Sequence, residues 1–162
     1  MDIAAQAPIG APVAAAASRS VPTCEQLAAW RAFLRAHATI TRALETELVA
    51  EQQLSLAAYD VLVQLAEAPG RRLRMTELAD AVLLSRSGVT RLVDRLERTG
   101  LVTRCRVATD GRGVAAELTD AGLARLRAAA RTHLAGVVRH FATRLDADDL
   151  ATLEQISRRL AG

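Results

Sequence analysis

The stretch from Arg74 to Thr119, RMTELADAVLLSRSGVTRLVDRLERTGLVTRCRVATDGRGVAAELT, constrains this chain more than any other. From Ser85 onward, Val89, Leu92, Val93 and Leu96 recur at i, i+3, i+4 and i+7, the single buried stripe of an amphipathic helix. Ser85 suits the N-cap of that helix and Gly100 its C-terminal stop. At about 100° per residue the opposite face carries Ser87, Arg91, Asp94 and Arg98, with Arg86, Thr90 and Arg95 on the flanks. A short helix that buries one side and offers Arg, Ser and Thr on the other is suited to a DNA groove. Arg donates two hydrogen bonds to guanine or binds phosphate, and Ser and Thr serve either target.

The preceding segment predicts a helix from Thr76 to Val82, capped by Thr76, with Leu78, Ala79 and Val82 facing inward and Leu83-Leu84 forming the turn. After Gly100, residues 101–107 alternate as a strand does, and so do residues 114–118. Between them, residues 108–113 supply Asp110, Gly111 and Gly113 for a tight reversal, with Arg112 at its tip. Helix, turn, helix and hairpin in this order make a winged helix-turn-helix.

The run ELADAVLLSRSGVTRLVDRLERTGLVTR, followed by DGRG and LTDAG, resembles the MarR (multiple antibiotic resistance regulator) family of bacterial transcription factors. The likeness extends from about Leu27 to the C-terminus and is sharpest between Tyr59 and Gly122. One departure is Gly111, where the family often has a second Arg; this softens the charge of the wing but leaves Arg112. The resemblance implies a mainly α fold with a small β wing, in which first and last helices interlock into a homodimer. Occupying a promoter in this way blocks polymerase, so repression is the default expectation, with activation by displacing another repressor as the alternative. With only Cys24 and Cys105 no disulfide framework is indicated, which fits the cytoplasm, at the nucleoid. Two recognition helices about 34–36 Å apart would read the half-sites of a palindrome. On this basis Arg86, Ser87, Thr90 and Arg91 are candidates for base contact. Arg74, Arg95, Arg98 and the wing's Arg112 are candidates for backbone or minor-groove contact, with Ser85 closing the helix end. Asp94 is expected to orient a neighbouring Arg, and Asp110 to orient Arg112.

Charge distribution supports double-stranded DNA as a partner. Net charge is only +3, yet ten Arg against five acids lie between Arg71 and Arg112, and the rest of the chain is −2. A basic middle in a slightly acidic frame is the footprint of a DNA-binding lobe. A sequence-indifferent architectural binder would rest on Arg–phosphate contacts alone. The mixed Ser/Thr/Arg face argues for base reading instead.

The domain plan follows in order. Residues 1–22 are rich in Ala and Pro and are expected to be a disordered tail; the prolines and Asp2 argue against a signal peptide. Residues 23–162 make one domain, with dimerisation helices at 23–52 and 120–162 around a DNA-binding lobe at 55–119. From Cys24 to Glu51, Leu27, Trp30, Leu34, His37, Thr41, Leu44 and Leu48 form a seam with a polar centre. Ser55 caps a second helix that stops at Pro69-Gly70. Asp120 is expected to cap a long helix to about Arg144, with Leu123, Leu126, Ala130, His133 and Val137 along its seam. Asp146 caps the last helix, with Asp149 completing a capping box. No run approaches the roughly 20 apolar residues of a membrane span.

Other constellations point elsewhere. Val137 occupies the i+4 position that would pair with His133, and no thiol or carboxylate completes a shell, so no metal and no cofactor are expected. No phosphate loop, nucleophile elbow or acid–base pair has motif-level spacing, so the chain is not expected to be an enzyme. The resemblance implies a cleft for a small anionic aromatic effector, and Trp30, His37, Thr41, Tyr59 and His133 are candidates to line it. Cys24 and Cys105 raise the alternative of a thiol-based redox regulator. Cys24 opens a helix but is followed by Glu25, and Cys105 lies between Arg104 and Arg106; inert thiols are the expectation.

Overall fold

The structure, a computed structural model, describes residues 21–82, 84–106 and 113–162. The expected tail before Val21, Leu83 of the inter-helix turn, and the wing tip with Asp110 and Arg112 lie outside these. The described residues form two units, 21–35 and 36–162.

The first unit is the opening of helix α1 (Cys24–Gln52). Thr23 caps it reciprocally: its Oγ1 accepts from the Gln26 amide, and Gln26 Oε1 accepts from the Thr23 amide. Trp30 and Phe33 stack at 6.0 Å, and both rings are about half exposed.

In the second unit α1 continues to Gln52, with Leu44 and Leu48 buried. The chain then turns through Gln53, at φ 49°, into α2 (Leu56–Glu67). Ser55 is the N-cap as expected, its Oγ accepting from Ala58 N–H. Glu45 on α1 also accepts from Leu56 N–H at 2.5 Å, so the start of α2 is held from two sides. The order continues as a 3₁₀ turn (Pro69–Arg71), β1 (Arg72–Arg74), α3 (Met75–Ala81), α4 (Arg86–Arg98), β2 (Val102–Arg106) and β3 (Val114–Leu118). Helix α5 (Asp120–His140), a 3₁₀ turn (Ala142–Arg144) and α6 (Ala147–Ala161) complete it.

The core joins Leu48, Val61, Leu62 and Leu65 to Leu78, to the α4 stripe, and to Val102, Ala116, Leu118 and Ala129. With 2% aromatic residues in the chain, Leu, Val and Ala fill the interior. Asp146 and Asp149 form the expected capping box of α6.

Five expectations are corrected. The hairpin gains a third strand: β1 pairs antiparallel with β3, so the order is β1-β3-β2, with Arg72 opposite Glu117 and ion-paired to it at 3.2 Å. Helix α3 starts at Met75 and not at Thr76, because β1 runs straight into it and the Glu77 carboxylate accepts from Arg74 N–H at 2.9 Å. Thr119, not Asp120, caps α5: its Oγ1 accepts from Gly122 N–H and donates to the Gly100 carbonyl. That helix ends at His140 and not near Arg144, and its inward stripe is Gly122, Leu126, Ala129, Thr132 and Gly136. Of the expected seam Leu126 lies on this stripe, while Leu123, Ala130, His133 and Val137 stand one step round and are half-buried.

Candidate nucleic-acid interface

Helix α4 is organised by its two ends and its stripe. Ser85 Oγ accepts from Gly88 N–H at 3.1 Å and lies 3.3 Å from Ser87 Oγ, which closes the N-terminus. At the other end Gly100 takes φ 73°, where a side chain is strained, and its N–H reaches the Glu97 carbonyl. Val89, Leu92, Val93 and Leu96 are all buried. That fixes the rotation of the helix and leaves Arg86, Ser87, Thr90, Arg91, Arg95 and Arg98 exposed. Thr90 donates its hydroxyl to the Arg86 carbonyl, so its oxygen remains an acceptor for an outside donor. Arg98 Nε donates to the Asp94 carbonyl, which lays that side chain back along the helix.

Arg74 lies not on a helix but at the end of β1, opposite Ala115, and is half-buried. Asp94 does engage an arginine, as expected. The partner is Arg104 on β2, at 2.5 Å. Arg104 also meets Glu97 Oε2 at 2.8 Å and the Thr90 carbonyl at 3.2 Å, while its own amide donates to Glu97 Oε1 at 3.0 Å. Neither Arg104 nor Glu97 stands among the residues expected at the site. The signal was present in the strand alternation: Val102 is fully buried, so Arg104 two residues on points to the same side, toward α4.

The residues expected around an effector are only partly brought together. Tyr59 and His133 meet with ring centroids 4.5 Å apart, and Tyr59 is buried. His133 Nδ1 is buried with no hydrogen-bond partner, and burial pushes the pKa of the ring down while the Asp60 carboxylate pulls it up. Thr41 donates to the His37 carbonyl within α1, where His37 is exposed and Thr41 half-buried. Trp30 belongs to the first unit. A separate cleft of about 490 Å³, open to solvent, lies between the start of α2, the end of α4 and α5, with Ser55, Leu92, Arg95, Thr99 and Arg125 on its walls.

Cys24 is exposed and Cys105 half-buried, its Sγ 3.8 Å from the Ala115 carbonyl. Among the described residues no group of His, Cys, Asp and Glu could hold a metal ion, and no helix is long and apolar enough to cross a membrane.

Residues 52–113 match the model of the MarR family. Two solved structures from Streptomyces coelicolor are similar over nearly the whole fold. One is Sco3205, a MarR family transcriptional regulator in complex with DNA, at 36% identity and TM-score 0.82, covering 88% of this chain and 89% of that one. The other is AbsC, a MarR family transcriptional regulator, at 35% identity and TM-score 0.80, covering 88% and 95%. The HTH-type transcriptional repressor YetL of Bacillus subtilis (strain 168) is 38% identical over 73 residues. That match spans 45% of this chain and only 44% of YetL.

Proposed function

From the premise that this chain belongs to the MarR family of transcriptional regulators, we propose that it is a repressor that reads a palindromic operator as a homodimer. Its role is regulatory and not enzymatic. The observation that carries the proposal is the exposed face of α4, where four Arg, one Ser and one Thr stand over a fully engaged apolar stripe. Helix α4 enters a major groove, where Arg86, Ser87, Thr90 and Arg91 meet base edges. Arg74, Arg95 and Arg98 hold phosphates, and the wing's Arg112, oriented by Asp110, lies along the adjacent minor groove or backbone. The homodimer is supported by large apolar side chains left exposed on three helices: Trp30, Phe33 and Leu34 on α1, Leu134 and Val138 on α5, and Ile156 and Leu160 on α6. On this reading residues 23–52 and 120–162 dimerise, and residues 55–119 form the DNA-binding lobe.

Release of DNA by a small anionic aromatic effector completes the proposal. The Tyr59–His133 contact supports it, since it pairs a phenol ring with a half-buried imidazole, an aromatic and polar combination of the kind that lines ligand sites.

Selection from a random-sequence duplex library, followed by fluorescence-polarisation titration at two salt concentrations, tests the core of the proposal. A palindromic consensus bound at least a thousandfold more tightly than random DNA is the expected result for a specific regulator, on the order of the usual range. Equal affinity for every duplex would leave an architectural binder. Adding salicylate-like acids to the selected complex tests the effector arm, and peroxide added in parallel tests the thiol alternative.

A further inference from the structure

We infer that Arg104, on the first strand of the wing, is a positioning residue that sets the pose of the recognition helix on DNA. This rests on the DNA-reading function proposed above. The guanidinium meets three positions of α4, the Thr90 carbonyl, Asp94 and Glu97, which stand at i, i+4 and i+7 on one side of the helix. At 1.5 Å per residue these span about 10 Å, or two turns. The backbone of the same residue is held as well, by Glu97 Oε1. A planar, forked cation bonded at several points fixes direction as well as distance, which a single ammonium does not.

The buried stripe faces the core and limits how far α4 turns about its axis. The grip by Arg104 comes from the side and ties α4 to β2, so the recognition helix and the first strand of the wing approach DNA as one body. It has an electrostatic consequence too. Asp94 stands on the face that carries Arg91 and Arg98, where an unpaired carboxylate would repel phosphate. Pairing with Arg104 cancels that charge.

Energetics separate this role from a merely structural one. The Arg104 side chain is 25% exposed and its acid partners more so, and ion pairs in such settings contribute little to folding. Base reading is less tolerant, because bidentate contacts demand close registration with the groove. Loss of Arg104 therefore leaves a folded protein that discriminates poorly between sequences.

The experiment uses the full chain with a duplex selected from a random library and a random duplex of equal length, each titrated at several salt concentrations. Wild type is compared with Arg104→Ala, Arg104→Lys, Asp94→Ala and the double variant, with thermal melting as a folding control. Arg104→Ala is expected to lower the selected-over-random affinity ratio by about tenfold or more, the worth of one well-made base contact. Arg104→Lys should restore part of the ratio. Asp94→Ala should lower the ratio as well, with the double variant no worse than Arg104→Ala alone, since both act through one pair. If Arg104→Ala instead weakens both duplexes equally and reduces the salt slope by about one, Arg104 is a direct phosphate contact and the inference is overturned. Should Arg104→Ala fail to fold, Asp94→Asn severs the same pair with little change of shape and decides by the same ratio. A wild type with no preferred duplex overturns the function itself, whereas a wild-type preference that survives Arg104→Ala overturns this inference alone.

Discussion

Gly122, in the first turn of α5, packs directly on the Leu101 carbonyl: a methyl group at Gly122 would overlap that oxygen and crowd Leu118 Cδ1. The same carbonyl accepts from both the amide and the hydroxyl of Thr119, so it is held in place by the start of the helix that Gly122 belongs to. Backbone cannot move aside here as a flexible side chain can. Gly122→Ala is expected to destabilise by about 1–3 kcal/mol or more through overpacking. Gly136 is the control. A methyl there meets only the far ends of Leu44 and Glu47, which can give way, so Gly136→Ala should cost less. Thermal melting of the two variants side by side checks the order, and a milder effect at Gly122 would contradict it.

The N-cap of the recognition helix offers a second measurement. Ser85 is exposed and its hydroxyl serves the Gly88 amide, so Ser85→Ala should remove about 1 kcal/mol of stability. Urea titration reads this as a lower midpoint at unchanged slope.

His133 makes stability depend on pH. Burial lowers its pKa from the ordinary 6.5, with Asp60 opposing the shift, so the unfolded chain takes up a proton before the folded one does. Stability is therefore complete above about pH 6.5 and falls as pH drops from there toward the folded-state pKa. Melting temperatures followed downward through this range should decline in the wild type. The decline should be shallower in His133→Phe, which keeps the ring against Tyr59 and removes the titrating group. Parallel curves for the two proteins would assign the acid sensitivity elsewhere.

Base-reading and phosphate-holding arginines should separate kinetically and thermodynamically on DNA. Arg91→Ala is expected to cost about 1–3 kcal/mol at one base pair and to relax preference there, whereas Arg112→Ala should weaken every sequence and flatten the salt dependence. Competition with single-base variants of the selected duplex distinguishes the two patterns.

Which parts were legible beforehand follows from what kind of interaction made them. Helix α4 was plain because four strongly apolar residues at helical spacing lie among charged ones, and because Ser85 and Gly100 mark its ends by local chemistry. Ser55 and Asp146 were legible for the same reason, since a cap is satisfied within three residues. Strand β1 was not, for it is three residues long and its partner Glu117 lies far along the chain. The inner face of α5 was set one step off because alanines surround the helix and blunt its pattern. The residues that pack most closely there, Gly122, Thr132 and Gly136, carry no hydrophobic signal at all. Thr132 is buried by its partners instead, donating to Glu51 and accepting from Gln52. Arg104 looked like one more unit of positive charge, because its value lies in what the fold sets opposite it.

The β1–β3 ladder has a consequence for how such a regulator can be remade. Every residue proposed to touch DNA, from Arg74 through α4 to the wing, is strung between Arg72 and Glu117, which sit across from each other in the sheet. A segment whose two ends emerge side by side is topologically a cassette, entering and leaving its host at one seam. Helices before and after that seam can be exchanged, by recombination or by hand, without rerouting the chain through the reading head. The segment that carries the proposed reading face and the helices outside it are thus joined at a single place in the chain.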